Sequence, residues 1–307
     1  TVSALTLGGG GIGQVWGPTD RREAVATVLE AVDAGITVMD VAPSYGDGEA
    51  ELVIGEAFAG HAPAGVRFST KHLLGNPPPG EVRARLERSL GESLARMRLS
   101  HIDLFILHGQ IIPDEEVGRV RGTPYRLFVD HVRPAFEALI AEGRIGAWGI
   151  TAVGVPSEVL DVIGGNPPPW AIQAITNLLD SPGSMRRFDG PARPREIIAA
   201  AAARGIGVMG IRAVQAGALT DALDRELPRE HPEMIDYKRA EPFRQIAAKV
   251  GEPPAELAHR YALSMEGVST VVLGVKNRAE LRSCLRAEER GPLEPALIAR
   301  IDEAVHG

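Results

Sequence analysis

The chain has 307 residues, of which 44% are hydrophobic and 24% charged, proportions that exclude wholesale disorder and collagen-like repetition. Forty acidic against 33 basic side chains leave a net charge of −7, so no chain-wide positive field collects phosphates and nucleic-acid binding is not expected. A lone cysteine, Cys284, excludes an internal disulfide and a multi-cysteine metal site and fits a reducing, cytoplasmic setting.

Short apolar runs alternate with helix-period segments along the whole chain. Strands are predicted at Ala4–Gly8, Ile36–Asp40, Val66–Lys71, Ile102–His108, Ile145–Ile150, Trp170–Ala174, Ile206–Gly210 and Thr270–Gly274. Helices are predicted at Asp20–Ala34, Gly48–Ala59, Glu81–Met97, Asp130–Glu142, Pro156–Ile163 and Arg195–Arg204. Glu241–Val250 and Pro254–Met265 precede the last strand, and Ala279–Arg286 and Pro295–Val305 follow it. Thr19 and Asp20 can cap the first helix, while Gly35, Gly143 and Gly205 stand where a helix hands over to a strand. The runs Asn76-Pro-Pro-Pro-Gly and Asn166-Pro-Pro-Pro-Trp read as stiff loops. Eight βα units of roughly 35 residues, without a linker-like break, predict one (β/α)8 TIM barrel over residues 1–307 rather than a doubly wound sheet. Two long connections, Gly109–Asp130 and Gln215–Ala240, both follow strands and are expected at the barrel mouth. No apolar run is long enough to span a bilayer, and the opening TVSALTLGGG has no apolar signal core.

Gly8-Gly-Gly10-Gly-Ile-Gly13 satisfies the spacing of a dinucleotide-binding turn after a strand. That turn must open a helix within its glycines, and Trp16-Gly17-Pro18 is expected to intervene before any helix starts. Asp40 also lies 27 positions past Gly13, where about 20 is the rule. A flexible glycine-rich loop is the expectation here.

The ends of strands two to four are more informative. Asp40 ends the second with Tyr45 just beyond it, Lys71 ends the third, and His108 ends the fourth. Neighbouring strands of a parallel barrel are ~4.8 Å apart, so these side chains converge on one side of the mouth. A phenol has a pKa near ~10, and a buried ammonium beside it favours the phenolate. Lys71 in turn needs a counter-charge, which Asp40 supplies, and His108 can donate a hydrogen bond to a carbonyl oxygen that gathers charge. The set makes a proton-transfer site that requires no metal, and the sequence offers no metal cluster. The remaining histidines, including His72 and His259, have no such company and read as packing or surface residues.

Ala34-Gly-Ile-Thr-Val-Met-Asp40-Val-Ala-Pro-Ser-Tyr45-Gly-Asp-Gly-Glu49-Ala-Glu51-Leu-Val-Ile-Gly55 resembles the signature stretch of aldo-keto reductases. Ser69-Thr-Lys71 and Asp103-Leu-Phe-Ile-Leu-His108 match the next two motifs in order and spacing. Gln173-Ala-Ile-Thr-Asn177 resembles the sixth-strand segment, and Val272-Leu-Gly274-Val-Lys276-Asn277-Arg278 the cofactor segment after strand eight. The resemblance covers essentially the whole chain. It implies hydride transfer between a nicotinamide and the carbonyl of an aldehyde, ketone or sugar. Asp40, Tyr45, Lys71 and His108 match the tetrad, with Tyr45 as general acid or base. The small-molecule site involves neither nucleic acid nor membrane, and Trp16 is a candidate wall of the substrate pocket.

The resemblance further implies that Thr151, Gln173, Arg212, Gly274, Lys276, Arg278 and Glu280 meet the cofactor. Three departures bear on that set. Gly149-Ile150-Thr151-Ala152 stands where Gly-Val-Ser-Asn is usual, which is similar to sugar-dehydrogenase members. Arg212-Ala213-Val214 replaces Ser-Pro-Leu, losing an aromatic stacker before it and gaining a cation. Glu280 occupies the position that commonly holds a basic residue for the cofactor's 2′-phosphate, and Cys284 replaces an Asn near the adenine. With Lys276, Arg278 and Arg212 set against one carboxylate, NADP(H) is narrowly favoured and NAD(H) remains usable. Two alternatives stand beside this expectation: a non-catalytic cofactor-binding regulatory subunit, and a lyase or isomerase barrel using Lys71 as Schiff-base former or general base.

Overall fold

The computed structural model describes residues 2–307. Eight parallel strands close into a barrel: β1 (Leu5–Gly8), β2 (Val38–Asp40), β3 (Arg67–His72), β4 (Ile102–Leu107), β5 (Ile145–Thr151), β6 (Ala171–Ile175), β7 (Gly207–Ile211) and β8 (Thr270–Leu273). Each strand pairs with its sequence neighbour, and β8 closes on β1 with Leu5 opposite Val271. The (β/α)8 architecture expected from the alternating pattern is the one observed. Helices α1 (Arg21–Asp33), α2 (Glu49–Phe58), α3 (Val82–Met97), α4 (Arg133–Ala141), α5 (Pro156–Gly164) and α6 (Pro194–Ala203) follow the first six strands. After β7 come α7 (Pro232–Arg239), α8 (Glu241–Val250) and α9 (Pro254–Ser264), and after β8 come α10 (Arg278–Glu289) and α11 (Pro295–His306).

Two-residue alternation decides which side chains enter the barrel. Leu5, Leu7, Met39, Phe68, Phe105, Leu107, Trp148 and Ile150 face outward into the main hydrophobic cluster under the helices. Val38, Ile106 and Met209 form a small apolar cluster of their own, packed against Leu104, Ala171 and Val272. Those six belong to the opposite, inward-facing set of their strands. A third cluster, around Phe243, Leu257 and Tyr261, packs α8, α9 and α11.

Three local expectations need correction. Gly9–Ile12 does form one turn of α-helix, and its glycines are buried rather than flexible. The turn ends at Gly13, and its lack of side chains permits close approach: a Cβ on Gly11 would lie 1.9 Å from the Val275 carbonyl oxygen. The helix expected from Asp130 begins earlier, with a turn at Tyr125–Leu127 and a π-helical turn at Phe128–Val132. The irregular turn abuts Pro134, whose missing N–H interrupts the α-helical ladder. The connection after β7 contains α7, which the sequence pattern concealed. Its buried residues are Glu233 and Asp236, so it carries no apolar period.

Backbone closeness at Gly11 and open space at Gly91, inside α3, predict opposite outcomes for the same substitution. Gly11→Ala must displace backbone and should lower stability by about 3 kcal/mol or more, or prevent folding. Gly91→Ala meets nothing within 4 Å and should raise stability by about 0.5–1 kcal/mol. Thermal or urea unfolding of the two variants checks both signs.

Candidate active site

Asp40, Lys71, Thr151 and Gln173 belong to the inward-facing sets at the carboxyl ends of their strands. The β2–β3 register sets Asp40 beside Ser69, which leaves Lys71 two residues nearer the mouth on the same face. The β5–β6 register sets Thr151 beside Gln173. His108 follows β4, with its N–H donating to the His72 carbonyl at 2.8 Å.

Lys71 is completely buried, and its Nζ donates to Asp40 Oδ2 and to the Val41 carbonyl, both at 2.8 Å. The same Nζ lies 4.8 Å from the centre of the Tyr45 ring. His108 meets that ring edge-on, with centroids 5.6 Å apart and planes at 85°. Asp40, Tyr45, Lys71 and His108 thus form one contiguous cluster. Ser44 Oγ lies 3.4 Å from His108 Nδ1; taking the proton on Nε2 leaves that nitrogen a donor.

Burial raises the Tyr45 phenol above its ordinary value, with Lys71 pulling the other way. Burial alone would lower Lys71, but Asp40 and Tyr45 outweigh it and hold the ammonium above its usual range. Burial, aided by the Lys71 charge, pushes the His108 imidazole down to about 3. At neutral pH the cluster therefore holds a protonated phenol, an ammonium and a neutral imidazole.

The cluster opens into a cavity of about 420 Å³ lined by Gly8, Gly9, Gly10, Trp16, Asp40, Tyr45, His108, Thr151, Gln173, Arg212, Gly274, Lys276 and Glu280 among others. That size suits a small-molecule site. A larger groove of about 1090 Å³ is lined in part by residues of the 181–189 segment and touches none of the four clustered side chains. Two observations fit the smaller cavity to a cofactor. Thr151 Oγ1 is buried there without a hydrogen-bond partner, and the glycine backbone leaves room that side chains would fill: a Cβ on Gly274 would come 3.1 Å from Trp16 Nε1. Among the described residues no group of three or more His, Cys, Asp or Glu could hold a metal ion.

The expected cofactor residues divide. Thr151, Gln173, Arg212, Gly274, Lys276 and Glu280 share the cavity wall with Asp40, Tyr45 and His108, but Arg278 does not. Its guanidinium turns to Glu23 on α1, at 2.9 Å. The surplus of free cations expected around the cavity is also corrected, because each has a carboxylate. Lys276 Nζ lies 2.7 Å from Asp224 and 3.5 Å from Glu280. Arg212 is buried against Glu233, and its Nε donates to Gln215 at 2.8 Å. Glu280 accepts from the Lys276 N–H at 2.8 Å, while Asn277 caps the Glu280 N–H at 2.9 Å, so its first task is to close the start of α10.

Several wall residues were invisible in the sequence. Met185, Asp224 and Arg225 come from the connections after β6 and β7, and His259 pairs with Cys284 at 3.6 Å. Burial pushes the Cys284 thiol up to about 12, which makes it unreactive. No motif marks these residues, since loops and distant helices deliver them.

The chain belongs to the Aldo/keto reductase family, whose model matches residues 4–306. Members are oxidoreductases that use nicotinamide cofactors. It is 25% identical to L-galactose dehydrogenase of Arabidopsis thaliana over 289 residues, covering 93% of this chain and 84% of that protein. In structure it is similar to aldo-keto reductase AKR11C1 from Bacillus halodurans in its holo form, with a TM-score of 0.74 and 23% identity over 99% of this chain and 92% of that one. It is also similar to glycerol dehydrogenase AKR11B4 from Gluconobacter oxydans, with a TM-score of 0.73 and 23% identity over 99% of this chain and 91% of that one.

The depressed His108 value has a sign that can be checked. Above pH 5 its ring should stay neutral, so its NMR C2–H signal should not titrate between pH 5 and 8. An unfolded histidine takes up a proton near ~6.5 and the folded one does not. Stability therefore falls as pH drops from that value towards 3. His108→Gln should make this acid limb shallower by up to one proton, read from unfolding midpoints against pH.

Proposed function

We propose that this chain interconverts a carbonyl and an alcohol on a small molecule, an aldehyde, ketone or sugar, with Tyr45 as the proton-transfer group. The observation that carries the reading is the wholly buried Lys71 held between Asp40 and the Tyr45 ring, two residues that line the cavity. A binding subunit does not require such a pair. A Schiff-base lysine must shed its proton, whereas Asp40 and Tyr45 hold Lys71 in the charged form.

In the reducing direction the substrate oxygen accepts the Tyr45 proton, and the neutral His108 donates a hydrogen bond to the same oxygen. Lys71 compensates the charge left on the phenol, and Asp40 keeps Lys71 protonated. Bound nicotinamide supplies the hydride to the substrate carbon, and takes it up in the reverse direction. Of the residues that line the cavity, Thr151 and Gln173 would hold its amide, and Lys276 and Arg225 would meet its phosphates. The names of the similar proteins, an L-galactose dehydrogenase and a glycerol dehydrogenase, support sugars and polyols as substrates to try first. As part of the same reading we place the enzyme in the cytoplasm. The lone, buried Cys284 agrees with that setting.

An absorbance screen at 340 nm against aldehydes, ketones and aldoses tests the activity. Tyr45→Phe should then lower kcat by about 10²–10⁴-fold while leaving cofactor affinity nearly unchanged, and a loss below tenfold would overturn the assignment. Lys71→Met should be at least as inactive. It should also be less stable by about 3–5 kcal/mol, because Asp40 is left as an unpaired buried charge.

With every cavity cation paired, the reading narrows to weak discrimination, NADP(H) keeping a small advantage over NAD(H). Titrating both dinucleotides against the fluorescence of the cavity residue Trp16 should give dissociation constants within about two orders of magnitude. A wider gap favouring NADP(H) would mean that Lys276 or Arg278 leaves its carboxylate to meet the phosphate. A clear preference for NAD(H) would mean that Glu280 dominates.

A further inference from the structure

Asp40 accepts three hydrogen bonds inside the barrel, and only one comes from Lys71. Lys71 Nζ and Gln173 Nε2 both reach Oδ2, at 2.8 and 2.9 Å. Oδ1 has a single donor, the hydroxyl of Ser69. Ser69 is 1% exposed and does not line the cavity. It shares the inward face of β3 with Lys71 and stands in register with Asp40. Val38, two residues before Asp40 on the same face of β2, belongs to the apolar cluster with Ile106 and Met209. Leaving so buried a hydroxyl without a partner would cost about 1–3 kcal/mol, and Asp40 is the acceptor that Ser69 uses.

We propose that Ser69 is a positioning residue for proton transfer: its hydroxyl fixes the plane of the Asp40 carboxylate and keeps Oδ2 turned towards Lys71. A carboxylate rotates about its Cβ–Cγ bond to share its donors between both oxygens. With Oδ1 unpartnered, that rotation would draw Lys71 or Gln173 from its present place. Lys71 has two of its three protons committed, to Asp40 and to the Val41 carbonyl, and its nitrogen lies 4.8 Å from the centre of the Tyr45 ring. Ser69 thus acts on Tyr45 through Asp40 and Lys71 without touching substrate. The ionisable groups facing one another here are Asp40 at the end of β2, Tyr45 beyond it, Lys71 on β3 and His108 after β4. The shifts of Tyr45, Lys71 and His108 arise from burial and from members of this set alone. The inference rests on Tyr45 being the proton-transfer group.

The test compares the intact enzyme with Ser69→Ala and Ser69→Thr, using whichever alcohol or sugar the absorbance screen identifies. In Ser69→Ala, kcat for oxidation should fall by about tenfold or more with KM changed less than about twofold. Asp40 opposes ionisation of Tyr45, and losing a donor leaves its charge less neutralised. The limb of the oxidation profile that reports the phenolate should therefore move to higher pH by about half a unit or more. Ser69→Thr retains the hydroxyl and should restore both values. A Ser69→Ala enzyme that melts earlier but keeps its kcat and its pH limb overturns the proposal, because Ser69 would then be structural only. Should Ser69→Ala not fold, Ser69→Cys, with its weaker donor, reads the same limb: an upward move supports the proposal and an unmoved limb overturns it. Tyr45→Phe separates the two levels. If it stays active, the general-acid assignment fails; if it is inactive while Ser69→Ala behaves as wild type, the positioning role alone fails.

Discussion

The ion pair between Lys71 and Asp40 is the constraint around which the mouth of this barrel is arranged. Both side chains are buried, Lys71 completely. Removing two charges from water is costly, and their attraction repays it only where geometry is good and the remaining donors and acceptors are satisfied. Here they are, through Val41, Gln173 and Ser69. Val41 directly follows β2, Ser69 lies on β3 and Gln173 on β6, so the pair is fully satisfied only when strands on opposite sides of the barrel have met. Barrel closure and the assembly of the site are in that sense one event.

A second polar assembly shapes the opposite rim. Arg212, at the end of β7, lies against Glu233 of α7, and Glu233 also accepts from the Ser184 N–H at 3.1 Å. Gln215 joins Arg212 to Asn177 and Asp236, with bonds of 2.8, 3.2 and 2.6 Å. Gly183 packs so closely that a Cβ would lie 2.6 Å from Gln215 Nε2. The network fastens the connection after β6 and helix α7 to the barrel. It also explains why a cation at position 212 adds no free positive charge to the cavity. The same pairing recurs at Lys276 and Arg278, so a count of charges along the chain is not a count of free charges at the cavity.

Period-two alternation with a polar residue at a strand's end made Asp40, Lys71 and His108 readable, because a barrel leaves such residues one place to go. Tyr45 was readable from its five-residue offset. Gln173 was readable as a cavity residue, yet its contact with Asp40 crosses the barrel between β2 and β6, and no local spacing encodes that. Helix α7 escaped for a related reason. The residues that anchor it are a glutamate and an aspartate whose partners lie elsewhere in the chain, so its buried face looks like a solvated one. Gly9–Ile12 was misjudged because glycine has weak helical propensity, and close packing against Val41, Trp16 and Val275 offsets it.

Local chemistry along the chain was thus sufficient for the barrel, for the order of its strands and for the identity of the four clustered side chains, since burial of apolar faces and backbone hydrogen bonding depend on patterns a few residues long. Which charges remain free was settled by packing alone. Arg278 lies 255 residues from Glu23, Lys276 meets Asp224 from another connection, and Arg212 meets a helix that has no apolar signature. Electrostatic pairing acts through space at 3 to 4 Å and is indifferent to distance along the chain, so the charge that a cofactor encounters at the cavity wall is a property of the folded protein.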